Sequence, residues 1–200
     1  MRTSRARRAD RVAEAMAATP RAGFLTDVQR SRAHVDAALP LFNNQTNSQP
    51  STVARMLRLL DVPVGASVLD VGAGSGWTTA ILAHLTGRAG SVLGVERDPA
   101  LADFGAANLA RTGRSWARVQ VAVPGVLGCP EQGPFDRILV SAMARRLPPE
   151  LVGQLVPGAV MVIPVDGRMW QVTAPAHGAG PPAVDVQGHY RFVPLIVEEP

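Results

Sequence analysis

The chain has 200 residues, of which 46% are hydrophobic and 18% charged, as is typical of a globular domain large enough to form its own core. No apolar run approaches the ~20 residues of a membrane span, and no apolar segment follows the basic start, which argues against a secretory signal. The single Cys129 cannot form an internal disulfide, so we expect a reducing, cytoplasmic environment. The net charge of +4 indicates either a solvated arginine-rich start or a patch for an acidic partner.

Helical and strand patterns alternate along the chain. Helical spacing predicts helices over residues 6–18, 52–60, 77–85, 99–111 and 149–155. Apolar runs predict strands over residues 67–71, 91–95, 118–123, 137–140 and 159–164, followed by a terminal hairpin of residues 170–173 and 190–197 joined by the loop 174–182. Such alternation predicts an α/β fold, a doubly wound and mostly parallel sheet with helices on both faces. Ligands of these folds bind beyond the carboxyl ends of the strands.

A glycine-rich turn follows the first long strand, in the sequence VLDVGAGSGW of residues 68–77. Glycines at alternate positions let a backbone turn sharply and approach a ligand without Cβ obstruction. Glu96 lies twenty residues after Gly76 at the end of the next strand, where a carboxylate can accept hydrogen bonds from ribose hydroxyls. The spacing Gly-x-Gly-x-Gly differs from that of dehydrogenases and resembles motif I of class I S-adenosylmethionine methyltransferases. This resemblance implies their Rossmann-like fold.

A second segment precedes the turn, with the sequence ALPLFNNQTNSQP over residues 38–50. It resembles the Ala-Leu-Pro … Gln-Thr-Ile-Ser-Gln-Pro segment of the protein-L-isoaspartate O-methyltransferase family. Further similarities follow the same order along most of the chain: residues 20–25, 133–142, 147–151, 154–158, 162–165 and 191–195. The resemblance implies a single methyltransferase domain of residues 1–200, with an N-terminal substrate segment (1–50), a cofactor-binding core (51–165) and a C-terminal β extension (166–200) that contains an antiparallel strand.

The family resemblance implies methyl transfer from S-adenosyl-L-methionine, with S-adenosyl-L-homocysteine as product, to the α-carboxylate of L-isoaspartyl residues in peptides or proteins. The methyl ester then collapses to a succinimide. Matched residue by residue, Ser48 and Thr46 are expected to be catalytic, and the substrate contacts are expected to be Asn47, Gln49, Ser141, Ala142 and Met143. The expected cofactor contacts are Gln45, Asp70, Gly72, Ala73, Gly74, Gly76, Glu96, Arg97, Gly125 and Gln171.

The chemistry of such a transfer needs few special side chains. A carboxylate has an ordinary pKa of about 4, so it is ionised at neutral pH and requires no general base. Alignment and exclusion of water are then the main contributions of the protein. A hydroxyl such as that of Ser48, and backbone N–H groups near Ser141 and Ala142, can orient the carboxylate. The four histidines show no ligand spacing, and no metal site is expected.

Several positions depart from the family pattern. Asn47 stands where isoleucine is usual, and Ser51 replaces an aromatic residue or histidine. Pro124 replaces an aspartate that contacts the adenine of the cofactor in the family. Met143, Arg145 and Arg146 replace small residues near the substrate loop. These departures leave two alternatives open: a methyltransferase for the aspartate of one dedicated natural-product precursor peptide, and a non-catalytic relative that has lost cofactor affinity.

Nucleic-acid methylation is not favoured, because residues 140–143 (VSAM) lack the Asn/Asp-Pro-Pro-aromatic motif of base N-methylation. We expect a monomer that binds neither nucleic acid nor membranes. Every functional expectation requires residues 45–50 to lie beside the turn of residues 72–76, because donor and acceptor must meet there.

Overall fold

The computed structural model describes residues 10–177 and 180–196. The helices are α1 (Arg11–Ala17), α2 (Asp27–Arg30), α3 (Pro50–Leu60), α4 (Trp77–Thr86), α5 (Pro99–Ala110) and α6 (Pro149–Val152). The strands are β1 (Leu39–Pro40), β2 (Thr46–Asn47), β3 (Ser67–Val71), β4 (Ser91–Glu96), β5 (Ala117–Val121), β6 (Phe135–Val140), β7 (Leu155–Val165), β8 (Arg168–Thr173) and β9 (Ala183–Gln187). Short 3-10 segments cover Arg21–Phe24 and Pro130–Gln132.

Seven strands form one sheet in the order β5-β4-β3-β6-β7-β8-β9. The five strands from β5 to β7 pair in parallel, whereas β8 and β9 are antiparallel. The chain leaves β3 for β4 on one side and later returns to β6 on the other side of β3. This reversal of strand order is the switch point at which open α/β sheets bind ligands. The predicted mostly parallel sheet with an antiparallel C-terminal end is confirmed.

Alternate residues of β3 face opposite layers of the core, as the pleat of a strand requires. Val68 packs in the cluster formed with α1, α3, α4 and α5, whereas Leu69 and Val71 pack in the other cluster. Helix α6 and the connection between β5 and β6 cover this second face, contributing Leu151 and Cys129. Both faces of the central strands are therefore buried, which explains their continuous apolar sequences.

Local sequence fixes where the helices around the site begin. The carboxylate of Asp98 accepts a hydrogen bond from the Leu101 N–H and caps α5, whose first residue is Pro99. Proline has no N–H to leave unsatisfied at that position. Helix α3 also begins with a proline, Pro50. The segment of residues 45–50 thus leads straight into a packed helix.

The C-terminal part differs from the predicted hairpin. The partner of β8 is β9 (Ala183–Gln187), not residues 190–197, and among residues 190–196 only Pro194 forms a β-bridge, with Met143. Every side chain from Ala183 to Val186 is exposed, so this edge strand lacks the apolar run by which the others were predicted.

Other boundaries shift by a few residues. The predicted helix 149–155 ends at Val152, because Leu155 already belongs to β7. Of the predicted helix 6–18, residues 6–9 lie outside the described residues. Residues 38–50, for which neither a helix nor a strand was predicted before Pro50, contain the hairpin β1–β2. Among the described helices, none is long and apolar enough to cross a bilayer.

Candidate active site

A cavity of about 620 Å³ opens at the carboxyl ends of β3, β4 and β5. One side is formed by the turn after β3 and by Glu96 at the end of β4, and another by residues of the hairpin β1–β2 and the segment after it. Ser141 and Ala142 after β6, together with residues 193–196, complete the wall. The volume lies within the ~300–1,000 Å³ range of small-molecule sites.

The turn after β3 is held by its neighbours on the sheet. The N–H groups of Gly72 and Ala73 both donate to the Val95 carbonyl, which fixes the turn against β4. Gly72 has a φ of 78°, a left-handed conformation that favours glycine. A Cβ at Gly72 would lie 3.8 Å from the Ser141 side chain, so the turn and the loop after β6 are in close contact. The turn can therefore approach a ligand with main-chain atoms alone.

Asp70 acts on the turn from beneath it. Its side chain is fully buried, and one carboxylate oxygen accepts 2.7 Å hydrogen bonds from the hydroxyls of Thr78 and Thr79 at the start of α4. Burial raises the pKa of Asp70 to about 6, although the two threonine hydrogen bonds oppose the rise and Glu96 adds to it. Asp70 does not line the cavity. It braces the junction of β3 and α4, and its predicted role in cofactor binding is indirect.

Glu96 presents its carboxylate to the cavity in a fixed orientation. One oxygen accepts a hydrogen bond from the Gly74 N–H at 3.0 Å, and the other accepts one from the Asp98 N–H at 3.1 Å. The side chain is 7% exposed and lines the cavity. Each carboxylate oxygen has a second lone pair, so the pair can still accept hydrogen bonds from two hydroxyls of a bound ribose.

The acceptor segment (residues 45–50) lies directly beside the turn. The Asn47 side-chain amide donates to the Ser75 hydroxyl at 2.9 Å, which meets the distance condition set by the sequence. Gln45, Thr46 and Ser48 also line the cavity. The structure therefore brings together the two segments that the sequence predicted to meet.

Within this segment, Ser48 and Thr46 line the cavity, whereas Gln49 does not. Neither of their hydroxyls has a hydrogen-bond partner among the described residues, and both residues line the cavity. Gln49 lies outside the cavity wall, where its amide donates to Asp36 and to the Ser51 hydroxyl. These bonds support the loop around Asp36 and do not suit the substrate contact predicted for Gln49.

The wall formed after β6 contains Ser141 and Ala142 but not Met143. The Ser141 N–H donates to the Val71 carbonyl at 2.8 Å, so it is not available to orient a carboxylate, contrary to our expectation. Met143 instead pairs through its main chain with Val193 and Leu195. It thereby anchors residues 193–195 at the edge of the cavity, a contribution that the sequence did not predict.

The remaining predicted cofactor residues divide into two groups. Ala73, Gly74 and Arg97 line the cavity, whereas Gly76, Gly125 and Gln171 do not. Gly76 contacts Gly105 on α5. A Cβ added to Gly76 would lie 2.6 Å from the Gly105 carbonyl oxygen. The Gln171 amide donates to the Leu59 carbonyl on α3 at 2.6 Å. The position of Gln171 therefore does not fit the predicted cofactor contact.

The loop after β5 gives the cavity an apolar wall. Pro124, Val123, Val126 and Leu127 of this loop line the cavity next to Val121, the last residue of β5. None of these side chains offers a hydrogen-bonding group. The carboxylate contact that the family resemblance implies at Pro124 is therefore absent. Among the described residues, no group of three or more His, Cys, Asp or Glu side chains is arranged to hold a metal ion.

Trp77 and Arg21 were not among the predicted site residues. Trp77 lines the cavity and donates from its indole nitrogen to the Thr19 carbonyl at 2.9 Å. Arg21 is buried, and its guanidinium lies 5.5 Å from the centroid of the Trp77 ring. Burial lowers the pKa of Arg21 to about 10, with Asp36 acting in the opposite direction. Arginine carries no pattern that marks it as buried, and its place in the family's Pro-Arg segment was the sole available signal.

Comparison with known proteins identifies relatives of this chain. The family model for protein-L-isoaspartate(D-aspartate) O-methyltransferase matches residues 1–199. A protein-L-isoaspartate O-methyltransferase of Methanopyrus kandleri is 44% identical over 200 residues, covering 96% of this chain and 86% of the relative. A protein of the same name from Magnetococcus marinus is 42% identical over 191 residues, covering 94% of this chain and 82% of the relative.

Solved structures agree in fold. A protein-L-isoaspartate O-methyltransferase superposes with a TM-score of 0.84 at 23% identity, covering 94% of this chain and 62% of that longer one. A Plasmodium falciparum protein, described as a putative protein-L-isoaspartate O-methyltransferase in complex with S-adenosyl-L-homocysteine, superposes with a TM-score of 0.81 at 24% identity. The match covers 94% of this chain and 91% of the Plasmodium chain. Because the family model matches residues 1–199, this chain belongs to the protein-L-isoaspartate O-methyltransferase family.

Proposed function

We propose that this chain is an S-adenosylmethionine-dependent carboxyl O-methyltransferase that acts on L-isoaspartyl residues of peptides and proteins. The observation that carries the proposal is a single cavity lined by both the glycine turn with Glu96 and the acceptor segment with Ser48. A donor and an acceptor bound at these two walls would face each other across the same space.

The cavity fits the proposed cofactor in volume and chemistry. It measures about 620 Å³, its Glu96 carboxylate is oriented by two main-chain N–H groups, and the turn at Gly72 offers main-chain atoms without a Cβ. When bound, S-adenosylmethionine supplies an electrophilic methyl group and leaves as S-adenosylhomocysteine. We propose that Glu96 holds the ribose, and that Gly72, Ala73 and Gly74 pass beneath the amino-acid portion.

The acceptor needs orientation more than activation. Its carboxylate is ionised at neutral pH, so the chain has only to align one oxygen and exclude water. We propose that the free hydroxyl of Ser48 donates a hydrogen bond to this carboxylate, with Thr46 beside it. A single donor leaves a lone pair on the attacking oxygen, so that the carboxylate remains nucleophilic.

The test is methyl transfer from labelled S-adenosylmethionine to three peptides identical except for isoaspartate, aspartate or asparagine at one position. We expect label in the isoaspartyl peptide alone, released as methanol at alkaline pH because a carboxyl methyl ester is base-labile. Label in the aspartyl peptide alone would reject methylation of isoaspartyl residues. It would favour the alternative of a methyltransferase for one dedicated precursor peptide. Failure of the chain to bind S-adenosylhomocysteine at millimolar concentration would favour a non-catalytic relative.

We also propose that the protein acts as a monomer in the cytoplasm. One copy of the chain supplies both the turn of residues 72–76 and the acceptor segment, as a monomeric enzyme requires. The lone Cys129 is buried and free, which suits a reducing compartment. Light scattering after size exclusion should give a mass near 21.1 kDa, and a stable dimer mass would contradict the monomer.

A further inference from the structure

Asn47 connects three separate parts of the site. Its side chain is 4% exposed, and both ends of its carboxamide are used. The oxygen accepts a 2.6 Å hydrogen bond from Nε of Arg21, and the nitrogen donates to the Ser75 hydroxyl at 2.9 Å. Three parts of the chain thus meet at one side chain: the 3-10 segment Arg21–Phe24, strand β2 and the turn after β3, residues 72–76, which we call the cofactor turn.

Arg21 fixes the main chain around Asn47. One of its terminal nitrogens donates to the carbonyls of Ala37, Asn47 and Ser48, each at 2.9 Å, and the other donates to the Val35 carbonyl at 3.0 Å. The same guanidinium therefore contacts the acceptor segment on both sides of the Ser48 N–H. A shift of Asn47 would break these bonds and displace Ser48 as well.

Ser75 belongs to the cofactor turn and is almost completely buried. Its carbonyl accepts a 3.0 Å hydrogen bond from the Asn108 amide on α5, so the main chain of Ser75 is held independently of Asn47. Ser75 also lines the cavity. A ligand that orders the turn would thereby act on Ser75, and through its hydroxyl on Asn47.

We propose that Asn47 is a positioning residue that couples donor binding at the cofactor turn to the order of the acceptor segment. Binding of the donor at residues 72–76 would restrict Ser75, and the Ser75–Asn47–Arg21 hydrogen bonds would then hold Ser48 in place for the acceptor. The inference rests on the proposed function for the identity of the donor. The coupling itself is a property of these three side chains.

The isoleucine that is usual at this position in the family could not make this connection. Its side chain has a similar volume but neither donor nor acceptor, so Nε of Arg21 would lose its bond and the Ser75 hydroxyl would lose its link to β2. A buried polar group without a partner is costly. Asn47→Ile therefore removes the connection with little change in side-chain volume.

Hydrogen exchange measured on the full chain, with and without S-adenosylhomocysteine, tests the coupling. The reporters are the Leu41 and Gln45 amides, which donate to the carbonyls of Gln45 and Phe42 within the hairpin. In the wild type, we expect the ligand to slow their exchange at least ~5-fold, the lower end of typical coupling between sites. In Asn47→Ile, the ligand should slow exchange at residues 72–76 as before but leave the hairpin amides unchanged.

Four further variants separate coupling from stability. Asn108→Ala removes the other hydrogen bond to Ser75, so it should lower stability yet keep the ligand-dependent protection of the hairpin. Ser75→Ala should lose that protection as Asn47→Ile does, and the double variant should lose no more, because both remove the same bond. Rescue by Asn47→Asp is expected, because its carboxylate can accept from both Arg21 and the Ser75 hydroxyl.

Equal ligand-dependent protection of the hairpin in Asn47→Ile and the wild type would overturn the inference. So would a wild type in which the ligand protects residues 72–76 but not the hairpin, and that result would leave the proposed function intact. If the ligand protects no segment of the wild type at saturating concentration, the proposed function fails and the inference fails with it.

Discussion

Ser48, like Thr46, lines the cavity with a hydroxyl that has no hydrogen-bond partner among the described residues. Ser48→Ala should lower kcat/KM for an isoaspartyl peptide by roughly 10- to 100-fold, because a hydrogen bond to a charged group contributes ~1.5–3 kcal/mol. The affinity for S-adenosylhomocysteine, measured by titration calorimetry, should change little. Ser51→Ala is a matched control, since Ser51 lies outside the cavity wall and interacts with Gln49 and Asp36. Equal turnover of the two variants would remove Ser48 from the acceptor site.

Asp70 should make the free energy of unfolding depend on pH. Its pKa rises from 3.8 to about 6 in the folded state, so between these values the folded state binds more protons than the unfolded state. Stability from this group is therefore highest below pH 3.8 and falls as pH rises through 6. At ~1.4 kcal/mol per pKa unit, the total loss is up to about 3 kcal/mol.

Asp70→Asn isolates that contribution, because the amide oxygen can still accept from Thr78 and Thr79. Urea unfolding at pH 4.5 and pH 7.5 should show the variant gaining stability relative to the wild type at the higher pH. A difference between the two proteins that is the same at both pH values would contradict the raised pKa.

At the residue scale, the sequence predicted the location of several residues in the cavity wall, and their roles in binding and transfer stay predictions. Ser48, Gly72 and Glu96 lie where their positions in the motifs predicted. Asn47 lines the cavity and its side chain also bonds to Arg21, whereas Gln171 lies outside the cavity wall and donates to Leu59. Such partners lie 26 and 112 residues away in the chain, and motif spacing carries no information about them.

At the scale of elements, the approach of α5 to the cofactor turn depends on a glycine pair. A Cβ at Gly105 would lie 2.5 Å from the Gly74 carbonyl oxygen and 3.2 Å from the Gly76 nitrogen. Gly105→Ala should therefore displace the turn, lower the free energy of unfolding by about 1–3 kcal/mol as other overpacked sites do, and weaken S-adenosylhomocysteine binding.

Gly153→Ala serves as the control for this prediction. Gly153 has a helical φ of −65°, and a Cβ there would lie no closer than 3.5 Å to its nearest neighbour, the Pro149 carbonyl oxygen. The variant should be as stable as the wild type. If Gly105→Ala were equally stable in chemical unfolding, the close packing of α5 on the turn would not be needed.

The elements that the sequence predicted well are those buried on a continuous apolar run. Strand β3 was predicted with its observed bounds, Ser67–Val71, because its residues are shielded on both sides of the sheet. The edge strand β9 and the hairpin β1–β2 were missed for opposite reasons. The first exposes most of its side chains, and each strand of the second has two residues, too few for an alternating pattern to be recognised.

At the scale of the whole molecule, the cavity joins parts that are distant in sequence. The turn after β3, the end of β4, the loop after β5, the acceptor segment and residues 193–196 all contribute to its wall. A ligand in this cavity would contact parts of the chain between residues 43 and 196, including residues that follow the antiparallel strands. Ligand binding should therefore stabilise the molecule as a unit rather than one loop of it.

Thermal unfolding measures this effect directly. S-adenosylhomocysteine at 100 times its Kd should stabilise the folded state by ~2.7 kcal/mol, which corresponds to a rise in Tm of roughly 5–10 °C for a domain of this size. Glu96→Gln replaces the carboxylate proposed to hold the ribose and should reduce affinity by about tenfold, or ~1.4 kcal/mol. The rise in Tm at the same ligand concentration should then be about half as large.

Glu131→Gln controls for the loss of one negative charge, because Glu131 is exposed on the 3-10 segment Pro130–Gln132 and lies outside the cavity wall. This variant should keep the full ligand-dependent rise in Tm. If Glu96→Gln and Glu131→Gln gave the same rise, Glu96 would not contact the ligand. The main-chain hydrogen bonds from Gly74 and Asp98 would then serve only to hold the turn against β4.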